Sequence, residues 1–416
     1  MKIQRWMAGM CVAISLGGMS VGLRSLTHAE EKGPVETSAP ATAQVATPEP
    51  LIQMAILLDT SNSMDGLINQ ARAQLWKVVN EFALARRQGQ RPQLQVALFE
   101  YGNDSLPANE GHIRLVLPLT DDLDKVSEAL FALTTNGGNE YCGQVIQSAL
   151  DRLQWSNSKD ALKCIFIAGN EEFTQGTVDY AKSCKAAIAQ GITVNTIFCG
   201  AEAEGVNTKW MDGAKLADGD FMSINQEAVV AAISTPQDKP LAELSSQLNT
   251  TYIPYGNSKQ RAEAVERQTA QDDNANNLSA ATNASRAQFK ASALYCNTQW
   301  DLVDALQHKK VKLEDLKPEE LPEEMRKLTP AQCKTYVEQK TQQRVALQNK
   351  IQELSQTREK FIAEARQKEA GQANEKTLDS AIIQAVRNQA SRQQYEFAKP
   401  TPAAAPASQP VSPNQN

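Results

Sequence analysis

The sequence has little histidine, no zinc-type cysteine spacing and no excess of positive charge. Only three of its 416 residues are histidine. No Cys-x-x-Cys pair occurs among its seven cysteines, so a zinc or dithiol redox motif has no support. The net charge is −6 at pH 7, and the chain therefore lacks the general basic footprint of nucleic-acid-binding proteins. We expect no nucleic-acid partner.

Signatures of hydrolytic or nucleotide-using enzymes are also missing. The glycine pair at 137–138 lacks the lysine and the spacing of a phosphate-binding loop. His112 and His308 are far apart in sequence, and neither belongs to a Ser/His/Asp or Cys/His pattern. Glu171 and Glu172 are neighbours in a predicted loop, where adjacent side chains point apart rather than forming an acid/base pair. We therefore expect a protein that is not an enzyme.

The amino terminus has the pattern of an export signal. Lys2 and Arg5 precede an apolar stretch over residues 7–21, which is too short for a typical membrane span. Small residues at 27 and 29 suit a signal peptidase. The pattern predicts a signal peptide over 1–29 and a mature protein that is periplasmic or secreted in a bacterial cell envelope. A retained N-terminal anchor, the only membrane contact we expect, is the alternative.

Composition divides the remaining chain into four segments. Residues 30–50 are rich in Pro, Ala, Thr and Glu, and we expect a flexible linker. Residues 51–256 alternate short apolar runs with amphipathic stretches, and residues 257–398 are largely polar with helical periodicity. The Pro- and Ala-rich residues 399–416 are predicted to be a disordered tail.

The alternation over 51–256 predicts an α/β fold with a doubly wound, mostly parallel sheet flanked by helices. The first strand is Met54–Leu58, and an amphipathic helix follows from Leu67. The strand at 112–117 is expected at an edge of the sheet. The remaining strands are predicted at 94–100, 164–168, 192–198 and 219–224.

Oxygen-bearing side chains follow the first predicted strand directly. Asp59, Ser61 and Ser63 form a D-x-S-x-S pattern at its carboxyl end. A carboxylate and two hydroxyls at alternate positions converge three oxygen donors on one point, and hard cations such as Mg²⁺ prefer oxygen ligands. Ligands of open α/β sheets usually bind at this edge. The other interpretation is a helix cap with spare hydroxyls.

This pattern resembles the metal-ion-dependent adhesion site of the von Willebrand factor type A (VWA) domain. The resemblance implies two further loops, one with a Thr after paired glycines and one with an Asp after the fourth strand. Here Asn139 and Asn170 occupy those positions, so both remain oxygen donors but with less ligand character. Glu140 and Glu171 lie beside them as further possible donors. The expected cofactor is a divalent cation, Mg²⁺ with Ca²⁺ or Mn²⁺ as alternatives, bound more weakly than by the full motif.

The resemblance to exported bacterial VWA proteins implies an interaction module. Its metal would keep an open coordination position, which a carboxylate from a partner protein could fill. The alternative is a structural envelope protein with a degenerate, metal-free VWA fold, in which the helical region mediates assembly.

The region after 257 is expected to form a helical hairpin or a coiled coil. Pro330 is the predicted first residue of a long helix with Thr329 as its cap. Leu347, Ile351 and Leu354 have heptad spacing, and arginines at 344 and 358 interrupt it. The helix could fold back on residues 262–308 or pair with another chain.

Six cysteines would remain after removal of the signal peptide. An even number in an exported protein permits disulfides without specifying their pairing. Cys296 with Cys333 could staple two helices, and buried free thiols are the other interpretation, above all for the sheet cysteines. The six are Cys142, Cys164, Cys184, Cys199, Cys296 and Cys333.

Overall fold

The computed structural model describes residues 49–228, 233–368 and 377–397. The predicted signal peptide, the tail and nearly all of the linker lie outside these residues. Within them, no helix is long and apolar enough to cross a membrane.

The central sheet has six strands in the order β4-β3-β1-β5-β6-β7. All neighbours are parallel except β4, which runs antiparallel to β3 at one edge. This arrangement confirms the predicted mostly parallel sheet and the predicted edge strand. The strands are β1 (Leu51–Asp59), β3 (Gln93–Tyr101), β4 (Ile113–Thr120), β5 (Leu162–Gly169), β6 (Thr193–Cys199) and β7 (Phe221–Ile224).

Strand β1 is buried on both faces of the sheet, which explains its nearly continuous apolar sequence. Its side chains alternate between two hydrophobic clusters, with Ile52, Met54 and Ile56 in one and Ala55 and Leu57 in the other. After Gln53, the next polar residue is Asp59, where the strand ends. The sheet therefore presents Asp59 at the end of a strand that is buried on both faces.

Helices cover both faces of the sheet. One face packs against α3, α4 and α6, and the other against α1, α2, α7, α9 and α12. The helices are α1 (Asp65–Ala83), α2 (Leu123–Ala132), α3 (Cys142–Arg152), α4 (Tyr180–Ala189), α5 (Glu202–Asn207), α6 (Trp210–Leu216), α7 (Asp238–Asn249), α8 (Ser258–Leu278), α9 (Ala280–Lys290), α10 (Leu302–Gln307), α11 (Pro330–Lys368) and α12 (Leu378–Arg392).

The long helix α11 begins at Pro330, as predicted, and packs within its own chain against α7, α9 and α10. The two arginines that interrupt its heptads are buried and bind acidic residues of those partners. Arg344 lies 2.7 Å from Asp301, and Arg358 lies 2.8 Å from Asp238. Fourteen residues make about four helical turns, so both arginines lie on the same face, which docks on the rest of the protein.

The carboxyl-terminal residues that the structure describes also pack on the sheet domain. Helix α12 lies against α1, and β8 (Tyr395–Phe397) pairs antiparallel with β2 (Ala85–Arg87). The Gln389 side chain accepts a hydrogen bond from Thr193 at 3.0 Å and is bonded to Asn195. The helices after 257 therefore share a hydrophobic core with the sheet domain.

All six cysteines after the predicted signal peptide are free, and five of them are buried. The suggested Cys296–Cys333 staple is wrong. Cys296 is exposed, with its sulfur 3.7 Å from the ring nitrogens of His308. Cys333 is buried and donates a weak hydrogen bond to the Met325 carbonyl at 3.6 Å.

Candidate functional site

The candidate site lies where β1, β3 and β5 end at the same edge of the sheet. Their carboxyl ends coincide because the three strands are parallel and in register, with Asp59 beside Tyr101 and Leu58 beside Ala168. The loops that follow them, together with residues 133–141, surround Asp59. Asn103 ties these loops together, since its amide donates to the Thr134 carbonyl at 2.8 Å and to the Thr60 carbonyl at 3.4 Å.

The structure brings the three residues of the D-x-S-x-S pattern together. Asp59 is fully buried, and its Oδ1 accepts the backbone N–H of Ser61 at 2.7 Å. The Ser61 and Ser63 hydroxyl oxygens are 3.3 Å apart. Ser61 is buried and Ser63 is exposed. The side chains of Asp59, Ser61 and Ser63 therefore extend from the buried end of the strand to the solvent.

Glu140 is the unexpected neighbour of Asp59. It is only 3% exposed, and the two carboxyl groups are close enough to share a hydrogen bond. Burial raises the pKa of both groups, and the charge of Asp59 raises the pKa of Glu140 further. Without a bound cation, Glu140 therefore holds its proton near neutral pH, because two buried carboxylates in contact repel each other.

Gly102 makes room for this pair. Its φ of +77° is one that glycine adopts without strain. A Cβ at this position would lie 2.7 Å from Glu140 Cγ and 2.8 Å from Asp59 Oδ1, which is closer than non-bonded atoms approach. The close packing of the two carboxyl groups therefore depends on the absence of a side chain at Gly102.

The two asparagines of the predicted site have different surroundings. Asn170 donates from Nδ2 to the Ser63 hydroxyl at 3.0 Å, which joins the loop after β5 to the D-x-S-x-S turn. Asn139 is exposed to solvent, while the next residue, Glu140, turns inward to Asp59. The contacts therefore place Asn170 with the Asp/Ser group and put Glu140 at the interior position of the glycine loop.

Apart from the contact between the two carboxyl groups, three buried oxygens of this group have no hydrogen-bond partner among the described residues: Asp59 Oδ2, Glu140 Oε2 and Asn170 Oδ1. Buried polar atoms are nearly always satisfied, so such a group at one place calls for a missing partner. A hard divalent cation fits this donor set of carboxyl, hydroxyl and amide oxygens. Over the described ranges no three His, Cys, Asp or Glu side chains converge as a metal-binding group, so hydroxyl and amide oxygens would have to complete the coordination.

The sequence pattern favours Asn139 as the donor of this loop and predicts Glu140 only as a further one. The family pattern drew attention to the position after the glycines, which is Asn139. The signal that could have found Glu140 was the chain direction: α3 begins two residues later, at Cys142, and its buried face constrains which loop side chain turns inward.

The fold is an open, doubly wound α/β domain, and its oxygen-bearing side chains lie outside the carboxyl ends of the strands, where domains of this class usually bind ligands. Residues 53–213 match the family model of the von Willebrand factor type A domain, and this part of the chain is therefore a VWA domain. Domains of this kind are generally interaction modules rather than enzymes. The match covers β1 to α6 and ends before the helices α7 to α12.

Several solved structures have weak overall similarity to this chain. BatB from Bacteroides thetaiotaomicron is 17% identical, with a TM-score of 0.32, 42% of this chain and 90% of that chain covered. The SpRpn10 VWA domain is 18% identical, with a TM-score of 0.32, and the match covers 42% of this chain and 88% of that chain. Proximal thread matrix protein 1 from the mussel byssus, solved with a zinc-occupied MIDAS motif, is 12% identical, with a TM-score of 0.31, 44% and 43% covered. No curated protein matches significantly.

Proposed function

We propose that this protein is an exported, non-enzymatic interaction module whose VWA domain binds a partner protein through a divalent cation. The observation that carries the proposal is the group of unpartnered buried oxygens on Asp59, Glu140 and Asn170. A cation at this point would neutralise both carboxyl groups and satisfy all three oxygens. Its absence would leave a cost of about 1–3 kcal/mol for each unsatisfied group.

The proposed ligands are Asp59, Ser61 and Ser63 with Glu140 and Asn170, directly or through water. A second carboxyl at Glu140 supplies negative charge that an asparagine could not. Because divalent affinity depends on the number of charged ligands, Glu140 compensates for the Asn at 170. Asn139 would stabilise the conformation of the loop and would not coordinate the ion. Mg²⁺ is the expected ion, with Ca²⁺ or Mn²⁺ as alternatives.

The partner would complete the coordination from solvent. Ser63 is exposed, so the outer side of the site is open to an incoming carboxylate. The helices beyond α7 would support the sheet domain and offer a second docking surface. The proposed compartment, periplasmic or secreted, rests on the sequence of residues 1–29 alone.

A metal-free structural protein is the second candidate, and one observation favours it. The raised pKa of Glu140 allows the two carboxyl groups to share a proton without any cation. In that case the helical region would mediate assembly. Partner binding that persists in a chelator would favour this alternative.

Calorimetric titration with Mg²⁺ and Mn²⁺ tests the proposal. We expect wild type to bind one ion, and Asp59→Ala to lose about 100-fold or more in affinity, as expected when a metal-site residue is removed. Glu338→Gln is the control, because Glu338 is an exposed acid on α11, outside the loops around Asp59. Equal affinity in wild type and Asp59→Ala would overturn the proposal.

A further inference from the structure

The loops around the site carry an unusually one-sided charge. Exposed acidic residues follow four different strands at this edge of the sheet, and we call them the acidic rim. Lys209 is the one lysine or arginine on the described loops at this edge. The acidic rim consists of Asp65, Asp104, Glu171, Glu172 and Glu227, all solvent-exposed.

Contacts with the site loops place four members of the acidic rim around Asp59. Asp65 accepts a hydrogen bond from Thr135 at 2.6 Å, and the Asp104 backbone N–H donates to the Gly137 carbonyl at 2.6 Å. The Glu171 charge is close enough to raise the pKa of both Asp59 and Glu140. Glu227 Oε1 would lie 3.1 Å from a Cβ on Gly66, at the start of α1.

Two observations separate this surface from an ordinary solvated acidic patch. At its centre are the unpartnered oxygens of Asp59 and Glu140, on side chains that are 0% and 3% exposed. One divalent cation offsets at most the two buried charges and leaves the acidic rim uncompensated. Like charges facing each other across an interface cost several kcal/mol, so an acidic partner surface is disfavoured here.

We propose that the acidic rim around the Asp59–Glu140 site is a docking surface for a basic protein, which surrounds the group entering the site with lysine or arginine side chains. This inference rests on the proposed function for the centre of the contact and names the chemistry of the partner around it. Charge complementarity would accelerate encounter and select the partner. The same negative field disfavours nucleic acids and anionic lipid surfaces.

Three short labelled peptides test the two levels of the proposal separately. The first has one aspartate flanked by lysines, the second replaces the lysines with serines, and the third replaces the aspartate with asparagine. Fluorescence anisotropy in millimolar Mg²⁺ gives their affinities. We expect the first to bind at least about tenfold more tightly than the second, and this difference to shrink at high salt because exposed charges are screened.

A protein variant assigns the effect to the acidic rim. The triple variant Asp104→Asn, Glu171→Gln, Glu172→Gln should bind the lysine peptide about tenfold more weakly. The charge-matched control neutralises Glu338, Glu353 and Glu364, exposed acids of α11, and should bind as wild type does. Cooperative thermal unfolding of both triple variants is the check that they are folded.

The outcomes distinguish the two proposals. If the serine peptide binds as tightly as the lysine peptide, or both triple variants weaken binding equally, the basic-partner inference is wrong. If the asparagine peptide binds as tightly as the aspartate peptide and EDTA has no effect, the metal-dependent function fails while the charge preference stands.

Discussion

Buried carboxylates occur in two regions of this molecule, and the two regions differ in whether a basic side chain neutralises them. Where the helices after 257 pack on the sheet domain, the buried carboxylates lie against basic side chains. Arg286 is fully buried between Asp124 and Asp272, and Lys290 adds a second cation 2.6 Å from Asp272. At the sheet edge, Asp59 and Glu140 face each other, each with an oxygen that has no hydrogen-bond partner in the described part of the chain.

This difference indicates where a cation from outside the protein would be needed. Removing a charge from water is costly unless a partner compensates for it. Arginine and lysine side chains where the helical region packs on the sheet domain neutralise the buried acids there from within the protein. At the sheet edge, no described lysine or arginine forms an ion pair with Asp59 or Glu140, so the partner that would neutralise them is a proton or a metal ion.

The largest loss of stability is expected when a buried basic side chain of the helical region is removed. Arg344→Met would leave Asp301 and Asp304 buried without their cation, which lies 2.7 and 2.8 Å away. We expect a loss of about 3–5 kcal/mol in the free energy of unfolding, measured by urea denaturation. Arg392→Met, at an exposed position on α12, is the control. A loss below about 1 kcal/mol for Arg344→Met would contradict the account.

The stability of the metal-free protein should depend on pH through the carboxyl pair. Burial raises the pKa of Asp59 to about 6, and the pKa of Glu140 is raised as well. A raised carboxyl pKa stabilises the fold below the unfolded value near pH 4, and this contribution is lost as pH rises through the folded value. In EDTA we expect the free energy of unfolding to fall by about 3 kcal/mol between about pH 4 and pH 6, because the Asp59 pKa is raised from 3.8 to about 6 and one pKa unit is worth about 1.4 kcal/mol.

Glu140→Gln sharpens that prediction, because it keeps the shape and removes the repulsion. Its stability in EDTA should change less across the same pH range than that of wild type. Chemical denaturation at several pH values gives both curves. Parallel curves for the two proteins would show that other groups cause the dependence.

A smaller effect is expected where α12 meets the sheet. Gln389→Ala removes one hydrogen-bond partner of the buried Asn195 side chain and of Thr193, which keep others on neighbouring strands. We expect a loss of about 1 kcal/mol, the usual net contribution of a hydrogen bond. Gln384→Ala lies on the exposed side of the same helix and should change stability by less than about 0.5 kcal/mol. Equal losses would mean that helix propensity, not the buried amide contact, decides the result.

The smallest effect separates the two candidate residues of the glycine loop. Asn139→Ala should change Mg²⁺ affinity by less than about twofold, because the Asn139 side chain is exposed. Glu140→Gln should lower the affinity by on the order of tenfold or more, since it removes a charged ligand. Calorimetric titration of both variants gives the comparison. The reverse order of effects would restore Asn139 as the ligand.

Much of the sheet domain could be predicted from the sequence, since its strands are apolar runs punctuated by loops and its first strand ends at Asp59. The packing of the helical region is less evident from the sequence. Arg344 and Arg358 were interpreted as interruptions of a heptad, because a one-dimensional pattern does not reveal acids that lie more than forty residues away in sequence. Glu140 was underrated for a related reason: which of two adjacent loop residues turns inward depends on the helix that follows.

Thermal unfolding with Mg²⁺ and with EDTA tests the central claim most directly. A ligand that binds only the folded state raises stability, by about 2.7 kcal/mol at a concentration 100 times its dissociation constant. We expect millimolar Mg²⁺ to raise the Tm of wild type and of Asn139→Ala by several degrees, and to have little effect on Asp59→Asn or Glu140→Gln. No shift in wild type, or the same shift in all four proteins, would contradict a cation site at Asp59 and Glu140.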